Sequence, residues 1–425
     1  MKKHVRLVQS KCERVNKEIL RYSAISAEME INMGVKNRMS GNEAVAHAIR
    51  QINPDVMPAF PITPSTEIPQ FVSNMIANGE VDTEFIPVES EHSAMSAAMG
   101  SEAAGARTIT ATSSCGLALM WEVLYVAASS RLPLTMTVVN RGLTGPLNIN
   151  AEHSDSMGAR DSGWLQIYAE NNQEVYDNLL QAYRIAEHKD VLLPIMICQD
   201  GFITSHAVEN IELEEDEPIK AFVGKYEPEH YLLKAGETMA MGPYATSPYC
   251  MEAKRAQAQT MMNAKKVILD VAEEYAAITG RKYGFFEEYR LKDAAFALVA
   301  IGSACGTIKD AVDDLRKHGV KAGLLKVRVF RPFPGEEMAR ALSHVKAVAI
   351  MDRCESYSCN GGPLGSELMA AMYRNKNKAE AINIVYGLSG RDITVNDVKD
   401  VFERLKTIAQ EGVKDTQYTY LGLRE

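Results

Sequence analysis

From Gly41 onward the sequence repeats one unit, a short apolar run followed by a stretch of helical length, and that alternation decides the fold class. The runs Val56–Phe60, Thr83–Val88, Thr108–Thr112, Leu134–Val139 and Leu193–Gln199 are expected strands. Asn42–Gln51, Pro64–Asn78, Ser93–Ala104, Gly116–Ser129 and Glu174–His188 are expected helices, with Tyr168–Glu170 left in a loop. Near-continuous apolar strands joined by helices imply a parallel sheet covered on both faces. The fold class expected is therefore α/β, with a doubly wound domain over residues 39–210. A second alternation, from Ala294–Ile301 through Ala381–Val385 to a helix at Val395–Ala409, predicts a smaller α/β domain over residues 291–425. Residues 211–290 connect the two, irregular and acidic at first and then a long helix, Glu252–Thr279. Residues 1–38 carry nine Lys/Arg and four Glu without this rhythm. They read as an N-terminal extension, with Met33 and Met39 as candidate starts, and their acidic content is unlike a transit peptide.

Open α/β sheets bind ligands at the carboxyl ends of their strands, so the strand-to-helix turns hold the candidate chemistry. After the first strand comes Phe60-Pro61-Ile62-Thr63-Pro64-Ser65-Thr66, where a helix is expected to be capped near Thr63 or Ser65 with Pro64 in its first turn. Thr63 is thus either a cap or a hydroxyl offered to a substrate. After the second strand comes Val88-Glu89-Ser90-Glu91-His92-Ser93. Glu91 is either a carboxylate set against the helix dipole or a general acid/base in apolar surroundings. The turn Thr112-Ser113-Ser114-Cys115-Gly116 offers N–H groups to an anion, or simply caps a helix. Arg141, just past the fourth strand, suits a carboxylate ligand and equally suits an internal salt bridge. The loop from Thr144 to Ser156 is long and polar for a compact domain. It contains His153 and Asp155, two metal-competent side chains without a third. Gly302–Thr307 lacks the Lys-Ser/Thr of a phosphate loop and reads as a tight turn.

Composition narrows the partners. A net charge of −9 and a pI near 5.6 argue against nucleic acid or an anionic membrane. No apolar run is long enough to span a bilayer. The seven cysteines are scattered with no CxxC, which fits reduced thiols in a cytoplasm and excludes a conventional cysteine-clustered iron–sulfur site in this chain.

In combination these motifs resemble the alpha subunit of the 2-oxoacid:ferredoxin oxidoreductase family, of the pyruvate:ferredoxin type. The resemblance rests on Gly41-Asn42-Glu43-Ala44, Phe60 to Thr66, Val88 to Met95, Ala111 to Ser114 and Gly116 to Met120. Asn140-Arg141, Glu152 to Ser156, Arg160 to Trp164, Gln199 to Phe202 and Arg328 to Pro334 extend it over about residues 39–410. It implies a thiamine diphosphate domain of the pyrimidine-binding type followed by a transketolase C-terminal-like domain. It implies that Glu91 meets the aminopyrimidine ring, favouring its imino tautomer, with Pro61 and Ile62 also lining the cofactor. Thr63 and Arg141 are implied to contact the substrate. The reaction implied converts pyruvate, coenzyme A and oxidised ferredoxin to acetyl-CoA, CO2 and reduced ferredoxin, reversibly. Neither the family's GDG diphosphate motif nor ferredoxin-type cysteine runs occur in this sequence. Mg2+ and [4Fe-4S] clusters are therefore expected in beta, gamma and delta partner subunits. Cys115 departs from the Gln or Asn common at its position. Two alternatives stay open: another 2-oxoacid, such as 2-oxoglutarate or a branched-chain acid, and a non-catalytic assembly subunit.

Overall fold

The computed structural model describes residues 35–242, 244–359, 361–414 and 418–424. Of the extension expected over 1–38, residues 1–34, with the candidate start Met33, lie outside the described residues. Two parallel sheets organise the rest. In the first, Val329–Arg331, Leu165–Tyr168, Ile195–Asp200, Thr135–Asn140 and Ile109–Thr112 run side by side in that order. A single bridge from Thr108 to Val56 continues it to Val56–Ala59, which pairs in parallel with Glu84–Pro87. The second sheet centres on Phe296–Ile301, flanked in parallel by Ala322–Val327 and Ala347–Asp352, with Glu380–Val385 beyond.

The strand order sets the site. The connection from Val56–Ala59 to Glu84–Pro87 leads outward to one edge, whereas Ile109–Thr112 leads to Thr135–Asn140 in the opposite direction. Loops leaving Val56–Ala59 and Ile109–Thr112 therefore diverge and open a crevice between them, the switch point of a doubly wound sheet. Helix Glu91–Ala104 packs on both of these strands. On the opposite face lie Gly41–Ile52 and Asn172–Ala186, packed on each other. The former begins with a capping box in which Ser40 Oγ accepts from Glu43 N and Glu43 Oε2 accepts from Ser40 N at 2.6 Å.

The interior joins the two sheets. One apolar cluster runs from Leu117, Val138 and Trp164 beside the first sheet to Leu325, Val348 and Leu364 of the second. Val329–Arg331, which follows directly on a strand of the second sheet, supplies an antiparallel edge to the first. The expected divisions at 38/39 and 210/211 both fall inside an antiparallel ribbon in which Val35–Met39 pairs with Glu209–Leu213.

Several local expectations change. The helix expected from Pro64 starts at Glu67, and its cap position, Thr66, makes no side-chain bond. Neither Thr63 nor Ser65 caps it. The reason is tertiary: buried Asn42 donates Nδ2 to Pro64 O at 2.9 Å and to Glu67 Oε2 at 3.1 Å, holding the turn out of the helix. Gly116–Ser129 divides at Met120 into Ser114–Leu119 and Trp121–Ser129. Leu165–Tyr168 is a strand, ending at the first residue of the expected loop. The segment expected to be irregular contains Glu209–Leu213 and a helix, Asp216–Val223. Among the described residues no helix is long and apolar enough to cross a membrane.

Candidate active site

Glu91 is the first residue of its helix, and Ser90 makes the capping bond instead, its Oγ accepting from Ser93 N at 3.2 Å. The Glu91 carboxylate is thus free for another task. The residue is 7 % exposed, and no hydrogen bond or ion pair within the described residues engages its carboxylate. It leans on the turn after Ile109–Thr112, where Gly116 leaves room. A Cβ there would lie 2.8 Å from Glu91 Oε1 and 2.6 Å from Thr112 Oγ1. Thr112 is fully buried and its Oγ1 has no partner. A buried carboxylate and an unpartnered buried hydroxyl therefore face the same small space at the switch point. Groups in that condition await a ligand or stand at a cost.

Arg141 follows Thr135–Asn140 and is 8 % exposed. It makes no ion pair within the described residues, so the salt-bridge reading of its sequence position does not hold. Its guanidinium is aimed by backbone carbonyls: Nε donates to Asn148 O at 3.0 Å and Nη1 to Thr63 O at 2.9 Å. Nη2 donates to nothing among the described residues, leaving a cation poised for an anion. Thr63 is exposed beside it, joined through its carbonyl rather than its hydroxyl. Pro61 is exposed and Ile62 half-buried on the same turn. Pro64 beneath them packs where Gly201 lacks a side chain; a Cβ there would stand 2.7 Å from Pro64 Cγ.

Cys115 lies between these groups. Its Sγ is 2.8 Å from Thr144 Oγ1 and 3.7 Å from Ser114 Oγ. Burial pushes the thiol up, but the bonds to Thr144 and Ser114 and the Arg141 charge outweigh it, so the thiol sits below its ordinary value.

The loop after Arg141 does not form a metal pair. His153 Nε2 lies 2.6 Å from Asp200 Oδ1, while Asp155 faces N–H donors. Asp200 also accepts from Arg353 Nη1 at 3.0 Å and from Ser303 N at 3.0 Å, so one buried carboxylate joins the two sheets. Burial pushes the Asp200 carboxyl up, and the His153 and Arg353 charges with the Ser303 bond more than reverse this, holding it well below the usual range. The three-carboxylate group Glu170, Glu174 and Glu287 is neutralised by Lys309 and Lys326 and serves the fold. Sequence reasoning took Thr112 only for its turn's backbone N–H groups and Asp200 only within a motif, and it passed over Arg353. Position alone could have found the first two, since each ends a strand.

The family described as "Pyruvate flavodoxin/ferredoxin oxidoreductase, thiamine diP-bdg" matches residues 47–273, and "Pyruvate:ferredoxin oxidoreductase core domain II" matches residues 294–398. A Thermotoga maritima protein named pyruvate synthase subunit PorA is 49% identical over 387 residues, 91% of this chain and 98% of that one. Its namesake in Methanocaldococcus jannaschii is 45% identical, covering 91% and 98%. A Pyrococcus abyssi protein named ketoisovalerate oxidoreductase subunit VorA is 42% identical, covering 92% and 98%. Among solved structures, 2-oxoglutarate:ferredoxin oxidoreductase from Magnetococcus marinus superposes with a TM-score of 0.67 at 19% identity, over 87% of this chain and 65% of that chain. A split-gene transketolase gives 0.51 at 12% identity over 87% and 99%. At such identities the two structures speak for the fold alone, which is the α/β class expected.

Proposed function

The chain belongs to the pyruvate:ferredoxin oxidoreductase family, and from that premise we propose that it is the alpha subunit of an enzyme acting on pyruvate. The reaction takes pyruvate, coenzyme A and oxidised ferredoxin to acetyl-CoA, CO2 and reduced ferredoxin, reversibly, in the cytoplasm. The observation that carries this reading is the buried Glu91 carboxylate, unpartnered at the switch point beside the unpartnered Thr112 hydroxyl. These residues fit thiamine diphosphate: Gly116 makes room for the Glu91 carboxylate, and no hydrogen bond or ion pair among the described residues competes for it. When bound, the cofactor supplies a carbon nucleophile and an electron sink for loss of CO2. Glu91 would hold its aminopyrimidine ring by a hydrogen bond to a ring nitrogen. Pro61 and Ile62 would line the same ring. Arg141 would pair through its free Nη2 with the substrate carboxylate, and Thr63 would offer its exposed hydroxyl nearby. Diphosphate with Mg2+, and the [4Fe-4S] clusters that take electrons singly to ferredoxin, are assigned to beta, gamma and delta partners.

Pyruvate is preferred to a branched-chain acid because the relatives named for pyruvate reach 49% identity and the one named for ketoisovalerate 42%. A reconstituted complex carrying Glu91→Gln should assemble normally yet lose pyruvate-dependent ferredoxin reduction by about a hundredfold or more, the scale of a lost acid/base group. Turnover close to wild type would sink the assignment. Turnover of the wild-type complex with pyruvate, 3-methyl-2-oxobutanoate and 2-oxoglutarate separates the substrates.

A further inference from the structure

We propose that Asp155 is a positioning residue whose carboxylate locks the Ser114–Gly116 turn to the Arg141 backbone, so that the cofactor-facing and substrate-facing groups hold one register. This rests on the function proposed above. Asp155 is 2 % exposed, in the loop that returns over the sheet edge after Arg141. Its Oδ2 accepts from Ser114 N at 2.9 Å and from Arg141 N at 3.0 Å. Its Oδ1 accepts from Asn140 Nδ2 at 2.8 Å and from Ser156 N at 2.7 Å. The two donors on Oδ2 come from the ends of neighbouring strands, whose parallel register runs out at Thr112 opposite Val138. Past that point no backbone rung joins them: Ser113 Oγ donates to Val139 O at 2.7 Å, and Asp155 supplies the tie beyond it.

The rung has something to restrain. Ser114 sits at φ 46°, a left-handed conformation that an L-residue adopts only under constraint. Its Oγ donates to Gly142 O at 2.6 Å, a second tie between the same two turns. Two residues on, Gly116 meets Glu91, and on the other side Arg141 reaches Thr63 O. A carboxylate suits this place because four N–H donors converge on it, two at each oxygen, and bonds to an ionised acceptor are the stronger kind. Burial pushes the carboxyl up and the N–H donors pull it back, leaving it raised.

The test uses the reconstituted complex. In Asp155→Asn, whichever way the amide turns, its NH2 meets two N–H donors. The KM for pyruvate should rise, and kcat fall, by about tenfold or more, the span that follows loss of a hydrogen bond to a charged group. The KM for coenzyme A should not change, a split that merely loosened packing would not produce. In the double variant Asn140→Asp with Asp155→Asn, the new amide donates to residue 140 and its oxygen again faces Ser114 and Arg141. It should recover part of the lost KM, the Ser156 N–H still facing the amide. An unchanged pyruvate KM in the single variant, or no recovery in the double one, overturns the proposal. Should neither variant assemble, amide exchange in the native complex decides. Slow exchange at Ser114 and Arg141 upholds the lock, and exchange as fast as unprotected loop amides refutes it. A wild-type complex inactive with every 2-oxoacid would defeat the proposed function instead, and the same exchange measurement would still judge the lock.

Discussion

Glu91 and Gly116 share one volume: the carboxylate of the first lies where a side chain on the second would be, 2.8 Å from its missing Cβ. That distance is below any real Cβ contact, and the Thr112 hydroxyl closes the other side at 2.6 Å. Gly116→Ala should therefore displace Glu91, the more adjustable neighbour. Alanine's helix preference of about 1 kcal/mol offsets much of the cost of crowding the buried Thr112 hydroxyl, about 1–3 kcal/mol. Stability should accordingly change little while turnover falls about tenfold or more. Chemical denaturation and ferredoxin reduction measured on one preparation would reveal the split. Loss of both together would contradict it.

Arg141 is held by two carbonyls at fixed angles, which a lysine cannot reproduce while facing a carboxylate. Arg141→Lys should raise the KM for the 2-oxoacid by about tenfold or more, as loss of a hydrogen bond between charged groups does, with a smaller effect on kcat. Steady-state kinetics over a pyruvate series would check this, and a KM within twofold of wild type would refute it.

Asp200 is one of the ionic joints between the two sheets, with Arg353 buried against it. Asp200→Asn leaves that guanidinium uncompensated and should cost about 3–5 kcal/mol of stability, read as a lower urea midpoint. Because the Asp200 carboxyl is held below its ordinary value, its contribution is present above the unfolded value near pH 4 and is lost as pH falls through the folded one. Wild-type stability should accordingly fall more steeply in acid than that of the variant.

Glu102 behaves in the opposite sense. Burial, with Glu187 nearby, pushes its carboxyl up to about 8, although Tyr226 and the Thr108 N–H bond to it. The folded chain then keeps a proton that the unfolded chain has released, so stability declines as pH rises from about 4.5 to about 8. Glu102→Gln should flatten that slope, which is about 1.4 kcal/mol per pH unit for one proton. Urea midpoints at pH 5.5 and 8.5 would show it, and an equal slope in the variant would exclude it.

Strands that are buried throughout and carry an apolar run, such as Thr135–Asn140 and Ile195–Asp200, announce themselves in the sequence, and with them the turns that carry Glu91, Thr63 and Arg141. Leu165–Tyr168 does not, because Gln166 is fully buried there and donates to Ser156 O, satisfied by a residue no local rule can supply. The start of the helix at Glu67 was hidden for the same reason. Thr63 and Ser65 are good local caps, but Asn42, distant in sequence, claims the turn. Asp155 was visible as an acid in a polar loop. That its partners would be backbone N–H groups from two strand ends is a property of the packed sheet.

Val329–Arg331 completes the edge of the first sheet beside Leu165–Tyr168, although half of the second sheet's strands follow it in sequence. This orders events during synthesis. The half bearing Glu91 and Arg141 emerges early but waits, with one strand edge open, until residue 331 leaves the ribosome. An open edge is a template for mispairing. A chain interrupted near residue 290 would then leave a half-molecule prone to aggregate, and the enzyme's two halves mature together or not at all.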